Sequence, residues 1–131
     1  MTDSTAHLAL RFETAMADRL SRPQTPLPPR LMLNATCLVG VGEIAFLLDF
    51  ARGQLTSCRR LTGLLVSHDF AVRAGAAAWS SLWQDPPPPG RHDLLALYKV
   101  GEVALEGRLE PFMQHLMFFK DLLASPRKTQ S

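Results

Sequence analysis

The stretch that most narrows the choice of fold is residues 99–123, KVGEVALEGRLEPFMQHLMFFKDLL. Its first part alternates, with Val103 and Leu105 on one side of a strand and Glu102, Ala104 and Glu106 on the other. Gly107 ends that strand. Glu110 and Pro111 then open a helix, where an acid suits the N-terminal dipole and proline's missing N–H does no harm. Phe112, Leu116, Phe119 and Leu123 form one stripe at helical spacing. Met113, Met117, Phe118 and Leu122 widen it until little more than Gln114, His115, Lys120 and Asp121 is polar. A helix apolar around so much of its girth is buried on two sides, or it lies over a sheet and also lines a cavity.

The remainder of the chain supplies that sheet. Leu8, Phe12, Ala15, Met16 and Leu20 recur at helical spacing in residues 4–20, with Asp3 or Ser4 as the cap. This N-terminal amphipathic helix has a polar face that mixes His7, Arg11, Glu13, Asp18 and Arg19, which favours packing on the domain over a membrane surface. Residues 21–30, SRPQTPLPPR, hold four prolines and read as a stiff extended connector that carries the helix away from the sheet. Short strand patterns follow at 33–41, 43–50 and 54–61, with Ala51-Arg52-Gly53 as a hairpin turn and an antiparallel meander as the simplest pairing. His68-Asp69 introduces a fourth strand at 70–74. Residues 76–84 form a helix with Trp79, Leu82 and Trp83 on one stripe, stopped by Asp85 and four prolines. Asp93 caps a further helix at 94–100, with Leu94, Leu97 and Tyr98 on one face. Strands followed by helices indicate an α+β fold, with the helices on one face of the sheet.

Composition excludes several classes. A length of 131 residues suits one domain and one core. Fourteen basic and 12 acidic residues leave a net charge of +2, and the only tight basic cluster is Arg59-Arg60 with Arg52 upstream. Nucleic acid is therefore not an expected partner, since it calls for a stripe of positive charge. Cys37 and Cys58 lie far apart, without metal or redox spacing, and read as buried reduced thiols. No run approaches the ~18 apolar residues of a membrane span, and the N-terminus lacks the pattern of a signal peptide, so a soluble cytoplasmic protein is expected.

Motifs for catalysis are equally sparse. His7, His68, His92 and His115 are scattered, without HExxH spacing, and GxSxG, GxGxxG and GxxxxGK[ST] are absent. No catalytic residue, metal or cofactor is assigned. His115, on the apolar helix, and Glu106, on the last strand, remain the acid/base positions of an alternative reading as a lipid-directed isomerase or hydrolase. A second alternative is a non-catalytic homodimeric or partner-binding accessory module that uses part of the C-terminal helix as its interface.

The second half of the chain resembles the sterol carrier protein 2 (SCP2-like) family of lipid-binding domains. The resemblance rests on the hairpin at 46–55 with its Arg52-Gly53 turn and on His68-Asp69-Phe70-Ala71-Val72, where the family tends to have Ala-Asp before an apolar strand. It continues through the tryptophan-bearing helix, the strand Gly101-Glu102-Val103-Ala104-Leu105-Glu106-Gly107 and the long apolar helix. Arg108 departs from the Asp common after that last glycine. The resemblance divides the chain into a helix and proline-rich connector at 1–30, an SCP2-like domain at 31–124 and a flexible tail at 125–131. It implies a five-stranded, mainly antiparallel sheet covered by helices, with an apolar tunnel between them that takes a sterol, fatty acyl chain or similar lipid for delivery to a membrane or an enzyme. Candidate wall residues are Phe46, Leu48, Phe70 and Val72 from strands and Trp79, Leu82, Trp83 and Tyr98 from the middle helices. Val103, Leu105, Phe112, Met113, Leu116 and Met117 complete the set. Methionine suits such a wall because it fills irregular space and adapts to different guests.

Overall fold

In the computed structural model, which describes residues 4–24, 33–62, 66–91 and 93–127, the Ser4 hydroxyl accepts the His7 N–H at 3.1 Å and caps helix α1, Thr5–Leu20. Leu8, Ala9, Phe12, Ala15 and Met16 are buried along one side of α1, while Leu20, expected to extend that stripe, is exposed. Helix α1 lies on the sheet rather than away from it. Phe12 packs 4.9 Å from Phe46, and Glu13 pairs with Arg60 at 2.6 Å. The physical reason is that the apolar stripe finds cover there, and against Trp83 at the end of the next helix. Gln24 of the connector clasps Leu55 on both sides, donating to its carbonyl at 2.8 Å and accepting its N–H at 2.9 Å. Residues 25–32 lie outside the described residues.

Strands β1 (Ala35–Val41), β2 (Ile44–Ala51) and β3 (Gln54–Arg60) form the expected meander. Arg52 (φ 55°) and Gly53 (φ 75°) both take left-handed backbone between β2 and β3, the primed geometry that matches strand twist. Strand β4 (Phe70–Ala74) then pairs parallel to β1, and β5 (Val103–Gly107) pairs antiparallel to β4. The order is β3-β2-β1-β4-β5, a mixed and mostly antiparallel sheet. Asp69 fastens the parallel joint. Its carboxylate accepts the Thr36 N–H at 2.8 Å, its own N–H donates to the Thr36 carbonyl at 2.9 Å, and its carbonyl accepts the Arg108 N–H at 2.7 Å. Gly107 (φ 85°) ends β5 so close to β4 that a Cβ there would meet the Asp69 carbonyl at 2.7 Å.

The helices lie on the sheet face that carries Cys37, Val39, Phe46, Leu48, Phe50, Phe70 and Val72. On the opposite face the Asp49 carboxylate accepts the Thr36 and Ser57 hydroxyls at 3.0 and 2.7 Å, and Arg73 pairs with Glu106. Cys37 and Cys58 flank Leu48 on neighbouring strands, two strand spacings or about 9.6 Å apart. That separation forbids a disulfide, and both are free thiols.

Helix α2 (Ala76–Leu82) ends where two guanidinium groups take its last carbonyls. Arg127 donates to Leu82, and Arg11 donates to Trp83 at 3.1 Å and to Pro126 at 3.2 Å. Cations suit that negative end of the helix dipole. Ser125–Arg127, expected to fray with the tail, instead forms a 3-10 turn with Pro126 buried. Asp93 caps α3 (Leu94–Lys99) as expected, accepting the Leu95 N–H at 2.8 Å.

The single C-terminal helix read from the sequence is in fact two, α4 (Glu110–Gln114) and α5 (Leu116–Ala124). His115 separates them at φ −123°, ψ 36°. Its ring Nδ1 lies 3.0 Å from the Pro111 carbonyl. A carbonyl only accepts, so Nδ1 carries the proton, and the side chain takes the bond that the backbone N–H would make in an unbroken helix.

Candidate functional site

Sequence places fourteen side chains on a tunnel wall, and the structure sorts them into three groups. Phe46, Leu48, Phe70, Val72, Trp79, Trp83 and Phe112 have no accessible surface, and Leu82 and Val103 very little. A wall facing a channel wide enough for water would keep some accessible surface. These nine instead face packed neighbours in one core. Leu105 and Leu116 are partly buried against that core. Tyr98 on α3 points outward, 46% exposed, as do Met113 and Met117 of the wide apolar C-terminal segment, 54 and 74% exposed. His115 is buried and satisfied by Pro111, and Glu106 pairs with Arg73 on the opposite face of the sheet. The structure does not bring these two acid/base candidates to a common site.

Aromatic rings fill the interior in two connected sets. Trp79 stacks on Trp83 at 5.1 Å, Trp83 on Phe12 at 6.2 Å, and Phe12 leans on Phe46. Each indole N–H has a partner, Trp79 donating to the Gly40 carbonyl at 2.8 Å and Trp83 to the Leu123 carbonyl at 2.7 Å. The second set runs from Phe112 and Phe70 through Phe119 to Phe50 and Phe118.

Phe118 is where this second set reaches a pocket of about 780 Å³. That volume falls within the roughly 300–1,000 Å³ of small-molecule sites. Thr14, Ala15, Asp18 and Arg19 of α1 form one wall, Arg22, Pro23 and Gln24 continue it, and Phe118, Asp121 and Ser125 close the far side. Its charges occur in pairs. Arg19 reaches across from α1 to Asp121 on α5 at 3.2 Å, and Arg22 pairs with Asp18 at 3.0 Å. Hydroxyls of Thr14 and Ser125 donate to the carbonyls of Leu10 and Leu122. Ala15, Pro23 and the Phe118 ring supply the apolar lining. Such a surface suits an amphiphile, with apolar surface against the ring and polar atoms beside the ion pairs.

None of the fourteen sequence candidates lines this pocket. Phe118 belongs to the apolar stripe, and Asp18, Arg19 and Asp121 read as polar helix faces. Nothing in their local spacing says that α1 docks against α5. Among the described residues, no three His, Cys, Asp or Glu side chains gather to hold a metal ion, and no helix is long and apolar enough to cross a membrane. Burial raises the Cys37 thiol pKa far above its ordinary value. Burial first, and the Glu13 carboxylate second, push Cys58 up to about 12. Neither sulfur is a reactive thiolate at neutral pH.

No protein-family pattern matches the chain, and no curated protein matches it. Solved structures do. A crystal structure of sterol carrier protein 2 matches at a TM-score of 0.65, with 16% identity, over 89% of this chain and 94% of the other. A conserved hypothetical protein of Thermus thermophilus, described as possibly a sterol carrier protein, matches at 0.54, with 17% identity, over 97% of this chain and 86% of the other. A UbiJ-SCP2 ubiquinone synthesis protein matches at 0.53, with 19% identity, over 88% of this chain and 94% of the other. With its amphipathic first helix, its mixed five-stranded sheet and its helices on one face, the chain has the SCP2-like fold.

Proposed function

We propose that this protein is a carrier that takes a hydrophobic or amphiphilic molecule into the pocket between α1 and α5 and hands it to a membrane or an enzyme. The observation that carries this reading is the half-polar pocket of about 780 Å³ that ends on Phe118, at the edge of the aromatic core of an SCP2-like fold. Burial of the guest would drive binding at roughly 25 cal/mol per Å² of apolar surface. The cost of immobilising the guest limits the affinity that results. Sterols and fatty acyl lipids follow from the sterol carrier resemblance. The fold neighbour that is a ubiquinone synthesis protein adds long-chain quinone lipids to the molecules to be tried.

Native mass spectrometry of the purified protein, before and after incubation with a sterol, an acylglycerol and a quinone lipid, tests the proposal. The expected result is one bound molecule per chain, identified after denaturing extraction. Failure to retain any of the three, with no co-purified molecule, would overturn it. A second reading, a homodimeric or partner-binding module, draws on Met113 and Met117, which stand exposed on either side of the His115 break. Its signature is a dimer that weakens when Met117 is replaced by Glu while lipid retention stays absent.

A further inference from the structure

Among the described residues that line the α1–α5 pocket, Phe118 is the only large apolar side chain. It is half-buried, on the first turn of α5 just after the non-helical His115. Directly behind it stand Phe50 and Phe119, which meet its ring edge-on with centroids 5.7 and 5.3 Å away. Phe119 in turn meets Phe70 at 5.3 Å and Phe112 at 5.4 Å. The open pocket and the closed aromatic interior are thus separated, at this point, by the thickness of one ring.

We infer that Phe118 sets how much of an aliphatic chain the pocket accepts, and so selects ligands by chain length. The inference rests on the proposed pocket reading and deepens it. A chain entering past the ion pairs lies against Ala15 and Pro23 and stops at the Phe118 ring. Methylenes beyond that point stay in water and add no affinity. Removing the ring extends the apolar surface inward to Phe50 and Phe119, so longer chains gain burial. At the rim, Arg19 is paired with Asp121 and Arg22 with Asp18. An uncharged head group therefore probes the depth of the pocket without breaking an ion pair.

Isothermal titration of the full chain with octanoyl, decanoyl, dodecanoyl, tetradecanoyl and hexadecanoyl glycerol, each below its micelle concentration, tests this. For the wild-type protein the affinity rises about fourfold per added methylene and then reaches a plateau. In Phe118→Ala the plateau moves to a longer homologue. Phe118→Leu, which keeps an apolar side chain in the core and guards against a variant that fails to fold, places the plateau between the two. The same plateau in all three proteins, or a rise with no plateau in the wild type, overturns the assignment to Phe118 and leaves the pocket standing. No binding of any homologue to any of the three proteins overturns the pocket reading, and the assignment falls with it.

Discussion

Replacing Trp83 with Phe separates a core residue from a ligand wall. The Trp83 indole donates to the Leu123 carbonyl at 2.7 Å. That carbonyl is among the last four of α5, which have no partner within the helix, so losing the donor strands a buried acceptor at a cost of about 1–3 kcal/mol. The smaller ring also gives up packing against Trp79 and Phe12 and most of its area under the Arg11 guanidinium, 5.7 Å from the indole. Together these losses come to about 2–3 kcal/mol, counting the missing carbons at the usual value per buried methylene and the cation–π contact at about 0.5–1. The expected total of about 3–6 kcal/mol is a large share of the roughly 5–15 kcal/mol that holds a typical domain folded. Urea unfolding followed by far-UV circular dichroism reads it directly, as a lower midpoint at unchanged slope. Affinity for an acylglycerol, measured where the variant is fully folded, should not change, because Trp83 does not line the α1–α5 pocket. A destabilisation well below the ~1 kcal/mol floor for a stranded buried acceptor, or a lost affinity in a folded variant, would refute the placement of this side chain in the core.

Three further outcomes follow from the same geometry. Gly107→Ala should cost about 2 kcal/mol or more in the same unfolding assay, since it adds left-handed strain to a Cβ placed 2.7 Å from the Asp69 carbonyl; a neutral result would mean that the β4–β5 end is looser than described. Asp69→Ala should cost about 1–3 kcal/mol by stranding the Thr36 N–H, and amide exchange at Thr36 and Phe70 should accelerate before exchange at the β2–β3 hairpin does. Neither thiol should react with a disulfide reagent in the folded protein at neutral pH, and both should react in urea. Folded Cys58 keeps its proton up to about 12, whereas an ordinary thiol releases it near 9. The folded state therefore binds more protons across that window, and stability should fall as pH climbs from about 9 towards 12; a rise there would reverse the assigned burial.

What local pattern can encode was legible before the structure. The α1 stripe, the Arg52-Gly53 turn, the Asp93 cap and the alternation of β2 each depend on residues a few positions apart, and each appears where its spacing places it. The strand order was not open to such reading, because the parallel joint of β1 to β4 rests on Asp69 meeting Thr36 across 33 positions of chain. The break at His115 escaped for a different reason. The competition between a ring N–H and the backbone for the Pro111 carbonyl leaves the apolar periodicity of Phe112, Phe119 and Leu123 untouched. Periodicity also names an apolar face without saying what covers it, which is why Met113 and Met117 read as walls and stand exposed. The pocket depends on the docking of α1 against α5, joined by Arg19 and Asp121, two residues that look like ordinary surface charges when read in sequence.

A lipid-like guest is proposed to sit in the space between α1 and α5. Two-dimensional amide NMR of the labelled protein, titrated with decanoyl glycerol, tests it most directly. Saturable shifts are expected at Ala15, Asp18, Arg19, Phe118, Asp121 and Ser125, with Phe50 and Phe119 following behind the ring. Shifts centred instead on Gly40 and Trp79, or confined to the exposed Met113 and Met117 with the pocket silent, would contradict it.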